Sequence, residues 1–232
     1  MAGSWDEIWE SRQLDPGARS TLSALLSADG FDTPTARLSE ADWVHAIDGI
    51  LDRIELSANR SIFEVGCGAG AFLYVLYTRG YIVSGIDRSS TLVKYARSVM
   101  PEGHFEVADA DTFDTTRRTD AAICNSVFLY FPSLDYADRV IRRMARKATR
   151  AVAILDVPDL ATKREAMRQR VEHAGGVEAY AARYAGLDHL YYAREWFVEA
   201  LTAAGLSKIQ VWTQPEGGSP NSRFRFNVFA TH

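Results

Sequence analysis

The segment Glu64-Val65-Gly66-Cys67-Gly68-Ala69-Gly70 sets an acid two positions ahead of three alternating glycines. Glycines at that spacing let a backbone turn tightly and approach a ligand without Cβ interference. The apolar run SIFEV precedes the turn and the helical run AFLYVLYTRG follows it. A helix starting there leaves unpaired N–H groups and a field that favours a carboxylate. GCGAGA also satisfies the dinucleotide fingerprint G-x-G-x-x-G/A. Three features weigh against a nicotinamide or flavin ligand. Glu64 can receive hydrogen bonds from an ammonium group or from the turn itself, whereas a pyrophosphate gains nothing from a carboxylate so close. Gly70 opens the turn further. The chain ends in a pattern of two strands, where a dehydrogenase continues with more crossover units.

Three further strands end in polar residues: Asp87 in GIDRSS, Asp109 in EVADAD, with Ala110 and Asp111 beside it, and Asn125 in ICNSVF. A carboxylate at Asp87 can accept both hydroxyls of a ribose; the competing reading is a helix-capping acid. In open α/β sheets, ligands bind beyond the carboxyl ends of the strands, where these residues lie.

The elements that must position them follow from periodicity. Residues 1–60 read as helical: Ser39 opens a segment with Asp42 three places on, and Trp43, Ile47, Ile50, Leu51 and Ile54 recur at helical spacing. Trp5 to Trp9 reads as a short helix with one aromatic face. From Ser61, strands alternate with helices capped at Ser89 and Ser133, which implies crossover units and a parallel sheet. KIQVWT and FRFNVFA flank the loop PEGGSPNSR with no room for a helix, so they should pair antiparallel. The expected fold is α/β: a Rossmann-like, seven-stranded, mostly parallel sheet with a C-terminal antiparallel hairpin. Residues 1–60 form an N-terminal helical cap segment and 61–232 the main domain. A helical cap insertion spans about 158–192, because that stretch exceeds a normal connection of about six residues.

Composition bounds the partners. The 232 residues carry 30 acidic against 26 basic side chains, a net charge of −4, so no bulk electrostatic case exists for nucleic acid or an anionic membrane. The arginine stripe from Arg139 to Arg150 reads as a solvated helix face. No apolar window of about 18 residues suggests a membrane span. Cys67 and Cys124, the two cysteines, sit in apolar strand-like contexts, which fits a reducing, cytoplasmic setting rather than a disulfide framework. A monomer or homodimer is expected.

EVGCGAG resembles the first motif of class I S-adenosylmethionine (SAM)-dependent methyltransferases, and the strand order extends the resemblance over roughly residues 60–230. It implies SAM as cofactor. Gly66, Cys67, Gly68 and Gly70 would line its methionine part, with Glu64 ordering the turn. Asp87, with Arg88 beside it, would hold the ribose, Asp109 and Ala110 the adenine, and Asn125 and Ser126 the ammonium. Trp43, with Trp5 and Trp9, would close over the cofactor. NSVF lacks the prolines of amino-methylating DNA enzymes, and no double-glutamate loop of arginine methyltransferases is present, so a small-molecule acceptor methylated on O or N is expected. The chemistry would fall to His189 as base, whose ordinary pKa near 6.5 suits proton removal, together with Tyr191 and Asn125. Phe128, Tyr130, Asp156, Tyr192, Arg223 and Arg225 would line the acceptor pocket, the arginines suiting an acidic acceptor or, in an equal competing reading, serving as edge-strand charges that block aggregation. Asp156 and Asp159 could hold a metal, but Asn125 stands where the metal-dependent relatives resemble an acid ligand, so no metal is expected. The competing readings are an NAD(P)-dependent oxidoreductase, a non-catalytic partner subunit and a SAM-using enzyme that does not transfer methyl.

Overall fold

The computed structural model describes residues 4–33, 38–214 and 221–232. Seven strands form one sheet: β1 (Ser61–Val65), β2 (Ile82–Asp87), β3 (His104–Val107), β4 (Thr119–Asn125), β5 (Ala148–Pro158), β6 (Ser207–Thr213) and β7 (Arg225–Thr231). Their order is β3-β2-β1-β4-β5-β7-β6. The first five run parallel, and β7 lies antiparallel between β5 and β6. The two C-terminal strands therefore pair as their short connection requires; residues 215–220 of the PEGGSPNSR loop lie outside the described residues. Strand order reverses between β1 and β4, and at such a switch point the crossover helices leave to opposite faces and open a crevice.

The helices divide between those faces. α2 (Thr21–Ala28), α3 (Glu40–Ile54), α4 (Ala71–Tyr77) and α5 (Ser90–Val99) bury apolar stripes with Ile62 and Ile123 on one side. α6 (Leu134–Lys147) and α9 (Arg194–Ala203) do so with Phe63, Val65 and Cys124 on the other. Neighbouring strand residues thus serve opposite cores, which is why β4 and the middle of β5 are apolar without alternation. Capping fixes the helix starts: the Ser39, Ser89 and Ser133 hydroxyls accept from the N–H groups of Asp42, Leu92 and Tyr136. Gly205, at φ +86°, ends α9 with Leu206 N–H donating to Leu201 O.

The arginine stripe is solvated at Arg139, Arg146 and Arg150, as expected, but part of it on α6 is also engaged in contacts. Arg139 pairs with Asp111 at 2.7 Å, Arg143 donates to the carbonyls of Asp111 and Phe113, and Lys147 donates to Asp114 O at 3.0 Å. It ties down the connection between β3 and β4. Between β5 and α9 lie α7 (Lys163–Ala174) and α8 (Val177–Tyr184), joined at Gly175-Gly176. The chain returns to the sheet through Leu190 N–H to Leu129 O and Tyr192 N–H to Pro158 O. α1 (Trp5–Glu10), closed by a Ser4–Glu7 capping box, lies against α5 through Glu10, whose carboxylate accepts from the Ser90 and Thr91 hydroxyls.

Candidate active site

A cavity of about 1540 Å³ opens at the carboxyl ends of β1, β2, β4 and β5. That is more than a single small ligand's usual pocket of about 300–1,000 Å³. Its two ends have opposite chemistry.

The first end is the glycine turn. The N–H groups of Gly66 and Cys67 both donate to Ile86 O at 2.8 Å, and that of Gly68 to Asp87 Oδ2 at 2.9 Å. Asp87 Oδ1 accepts from Ser89 N–H at 2.8 Å. One acid therefore holds both the turn and the start of α5. Gly66 and Gly68 have φ of +73° and +53°; a Cβ would come within 2.4 Å of Val127 on the first and 2.3 Å of Asp29 on the second. Only glycine fits either place.

Asp29 follows α2, forty residues before the turn. Its Oδ1 accepts from Ala69 N–H at 2.5 Å and its Oδ2 from Ala71 N–H at 2.9 Å. Glu64 lies beside them, 2% exposed, with Oε2 buried and unpartnered. Asp29, Glu64 and Asp87 all border the cavity, and none has an ion pair among the described residues. Burial pushes the Asp29 carboxyl up to about 7, against the bonds from Ala71 and Ala69, and Asp87 adds to the rise. Burial raises Glu64 well above the usual range, reinforced by Asp29 and Asp87, and it raises Asp87 too. Carboxyls crowded in low dielectric disfavour their own ionisation until a cation joins them.

At the ends of β4 and β5, Ser126 and Asp156 both take φ of +58°, which non-glycine residues rarely adopt. Ser126 Oγ donates to Asp156 Oδ2 at 2.7 Å, and Asp156 N–H donates to Asn227 Oδ1 at 2.9 Å. Backbone strain held by surrounding bonds marks functional positions more often than structural ones. Asn125 and Ser126 line the cavity between its two ends.

The second end carries the basic groups. Arg225 is 6% exposed and borders the cavity; its Nη1 is buried and unpartnered, and its Nε lies 3.8 Å from Asp156 Oδ1, beyond hydrogen-bond reach. Arg170 and His173 from α7 and Arg183 from α8 face the same space. His189 stacks on Trp5 at 5.0 Å and meets Tyr130 edge-on at 5.5 Å, and both its ring nitrogens are buried and unpartnered. Burial, helped by Arg170 and Arg225, lowers its pKa well below the ordinary value. The match to neutral pH expected from an unperturbed histidine does not hold. Burial pushes the Tyr130 hydroxyl up to about 12.

The structure gathers most of the expected residues. Glu64, Gly66, Cys67, Gly68, Asp87, Arg88, Ala110, Asn125, Ser126 and Trp43 border the cavity, as do Tyr130, Asp156, His189 and Arg225. Several placements differ from expectation. Gly70 packs against the Met100 side chain instead of facing the cavity. Asp87 and Asp29, rather than Glu64, order the turn. Trp43 is 5% exposed and donates its Nε1–H to Ala71 O at 3.1 Å, joining α3 to α4, while Trp5 and Trp9 pack on Tyr130 at the other end. Asp109 accepts from the Tyr136 hydroxyl at 2.6 Å and lies 3.5 Å from Arg88, so Ala108, Ala110 and Tyr136 form that wall.

Besides Gly70 and Asp109, four further expected residues lie outside the cavity. Phe128 and Tyr192 are buried in the core, where Tyr192 donates its hydroxyl to Phe128 O at 2.8 Å. Tyr191 packs in a separate cluster with Ala166 and Phe224. Arg223 turns outward to Glu165 and Gln169. In each case burial of a large apolar surface, or an outward ion pair, wins over the strand-end position. Asp159 is likewise engaged elsewhere, paired with Arg194 at 2.7 Å. Asp29, Tyr136, Arg170 and His173 join the site without any motif in the sequence.

Residues 62–150 match a family model described as a methyltransferase domain. The chain is similar to trans-aconitate 2-methyltransferase of Sinorhizobium medicae, 29% identical over 153 residues, covering 65% of this chain and 58% of the relative. A second such protein, from Methylobacterium radiotolerans, is 30% identical over 47% of this chain and 42% of its own length. The chain spans about half the length of these curated relatives. Among solved structures, an N-methyltransferase from Bradyrhizobium japonicum in complex with S-adenosylhomocysteine shares the fold, with a TM-score of 0.58, 17% identity and coverage of 86% of this chain and 87% of that one. No helix among the described residues is long and apolar enough to cross a membrane.

Proposed function

We propose that this chain is a class I SAM-dependent methyltransferase, a reading supported by the methyltransferase-domain match at residues 62–150, and that it binds SAM at the acidic end of its cavity and methylates an O or N atom of a small acidic molecule held at the basic end. The observation that carries this reading is the set of three carboxylates around the glycine turn without an ion pair among the described residues, Asp29, Glu64 and Asp87, of which Glu64 is buried and Asp29 and Asp87 are half-buried at the cavity wall. Such a cradle attracts a ligand bearing ammonium and sulfonium charges and repels a diphosphate. The turn amides that a diphosphate would need are already engaged by Asp29, Asp87 and Ile86.

The residues fit SAM. The unpartnered Glu64 Oε2 offers an acceptor to an ammonium, each Asp87 oxygen keeps a lone pair for a ribose hydroxyl, and the Tyr136 ring supplies a flat wall near Ala108 and Ala110. When bound, SAM supplies an electrophilic methyl group on a cationic sulfur. The protein's work is then alignment, worth on the order of 7–11 kcal/mol for well-oriented partners. Asn125 and Ser126, between the two ends, stand where the reacting atoms meet. Arg225, buried at 6% exposure with its Nη1 unpartnered, suits a carboxylate on the acceptor. His189 is neutral at physiological pH because of its burial. In that state it can accept a hydrogen bond from the acceptor's O–H or N–H and steer its lone pair. Two buried thiols, both pushed up in pKa by burial, suit a reducing cytoplasm.

The test is calorimetry with SAM and with its demethylated product S-adenosylhomocysteine, followed by turnover of labelled SAM with panels of carboxylate-bearing and neutral acceptors. Binding of both ligands, with label entering the carboxylate panel alone, is expected. No heat with either ligand overturns the cofactor reading. Label only in neutral acceptors overturns the acidic-acceptor reading.

A further inference from the structure

Arg170 stands on the inserted α7, away from the sheet and from every motif, yet it borders the cavity. It is half-buried and has neither an ion pair nor a hydrogen bond among the described residues. The acids of its own helix face other arginines: Glu165 meets Arg223, and Glu172 meets Arg168. Arg225 comes from β7, at the far side of the chain. It is buried, its Nη1 has no partner, and Asp156 approaches its Nε only to 3.8 Å. That acid is engaged elsewhere, accepting from Ser126 Oγ at 2.7 Å and from Gln214 Nε2 at 3.1 Å.

The two guanidiniums neighbour the same pair of rings. Burial lowers His189, with Arg170 and then Arg225 adding to the fall, and both arginines oppose the rise that burial causes in Tyr130. We propose that the acceptor carries two carboxylates that are read separately, the inner one by Arg225 on the sheet and the outer one by Arg170 on the cap insertion, so that Arg170 is a specificity-determining residue. This inference rests on the reading of an acidic acceptor above.

A buried guanidinium nitrogen without a partner costs free energy, and a second cation nearby adds repulsion. One carboxylate at Arg225 would remove the first cost and leave Arg170 uncompensated. A second carboxylate removes both. The flank is aromatic, with Trp5 and Tyr130 packed on His189, which keeps the local dielectric low and strengthens each charge pair. The other cap residues that reach this space, His173 and Arg183, bring no negative charge.

The experiment is calorimetry with and without S-adenosylhomocysteine, using the diacids succinate, glutarate and adipate against the monoacids of equal length, butyrate, valerate and caproate. In the wild type, the best diacid should bind about tenfold or more tighter than its monoacid counterpart. Arg170→Ala should remove most of that advantage and leave monoacid binding within about twofold of wild type. Arg170→Glu should turn the preference toward γ-aminobutyrate and δ-aminovalerate, whose outer group is an ammonium, an exchange that a merely structural role would not produce. Equal binding of diacids and monoacids by the wild type overturns the inference and leaves the acidic acceptor standing, whether or not either variant folds. A folded Arg170→Ala that keeps the diacid advantage overturns it too. If the wild type binds neither series, the reading of an acidic acceptor falls with it.

Discussion

The two ends of the cavity are built by different means. At the acidic end, backbone does the holding: the amides of the glycine turn are spoken for by Ile86, Asp87 and Asp29, and two glycines sit where no Cβ fits. At the basic end, side chains do it: Arg225, His189 and Tyr130 come from β7, a loop and a single turn, and Arg170 and His173 from the inserted α7. Backbone geometry is set by local spacing and tolerates little change. A wall of side chains can be rebuilt residue by residue without disturbing the sheet.

The sharpest way to break this contrast is Gly68→Val. The added Cβ meets Asp29 at a positive φ, and SAM affinity should drop by about 100-fold or more in calorimetry. A modest loss would mean that the turn is not the rigid half. Asp87→Ala strands the Gly68 and Ser89 N–H groups and should weaken SAM by about 10-fold to 100-fold while sparing acceptor KM. Arg225→Ala tests the other half. Acceptor KM should rise about tenfold with SAM affinity within about twofold of wild type. If SAM binding falls in parallel, the ends are not separable.

Titration separates the ends more gently. Asp29 is raised in the folded chain to about 7, so its stabilising contribution is complete below the unfolded carboxyl value and is lost as pH rises through 7. Between about pH 6 and 8 that amounts to about 1 kcal/mol, or about 2–4 °C in Tm for a chain this size. Glu64 adds in the same direction. His189 is lowered, so its effect is opposite: stability is lost as pH falls below the unfolded histidine value. The cofactor-free protein should therefore melt higher near pH 6.5 than near pH 8, and SAM should narrow the gap. A melting temperature that climbs steadily with pH contradicts the acid cluster. The smallest expected effect belongs to His189→Gln: kcat down by less than about tenfold, with no pH limb between about 6 and 7, since a full general base is worth about 10²–10⁴-fold. A larger loss would move proton transfer to the basic end.

What could be read in advance follows the same division. The turn, the strand-end residues Asp87 and Asn125, and the antiparallel C-terminus were legible because each depends on neighbours a few positions away. Asp29 was not. In LLSADG it resembles any acid at a helix end, and its role arises only when α2 packs on α4 forty residues later. Tyr191, Tyr192 and Phe128 misled in the opposite sense, since aromatic residues at strand ends look like pocket walls until the core claims them. Nothing in the spacing of Arg170 and His173 on α7 separates them from a solvated helix face.

Ser126 and Asp156, each in a left-handed conformation and bonded to one another across the ends of β4 and β5, carry a lesson for anyone engineering this chain. Glycine at either site would relieve about 1 kcal/mol or more of conformational cost, but a hydrogen bond to a carboxylate is worth about 1.5–3 kcal/mol, and Asp156→Gly also loses the bond from Gln214 Nε2. Both replacements delete the bond that aims the two strand ends at each other. One contact thus serves both the stability of the strand ends and their mutual aim, and any directed-evolution campaign that relaxes it should score turnover alongside survival.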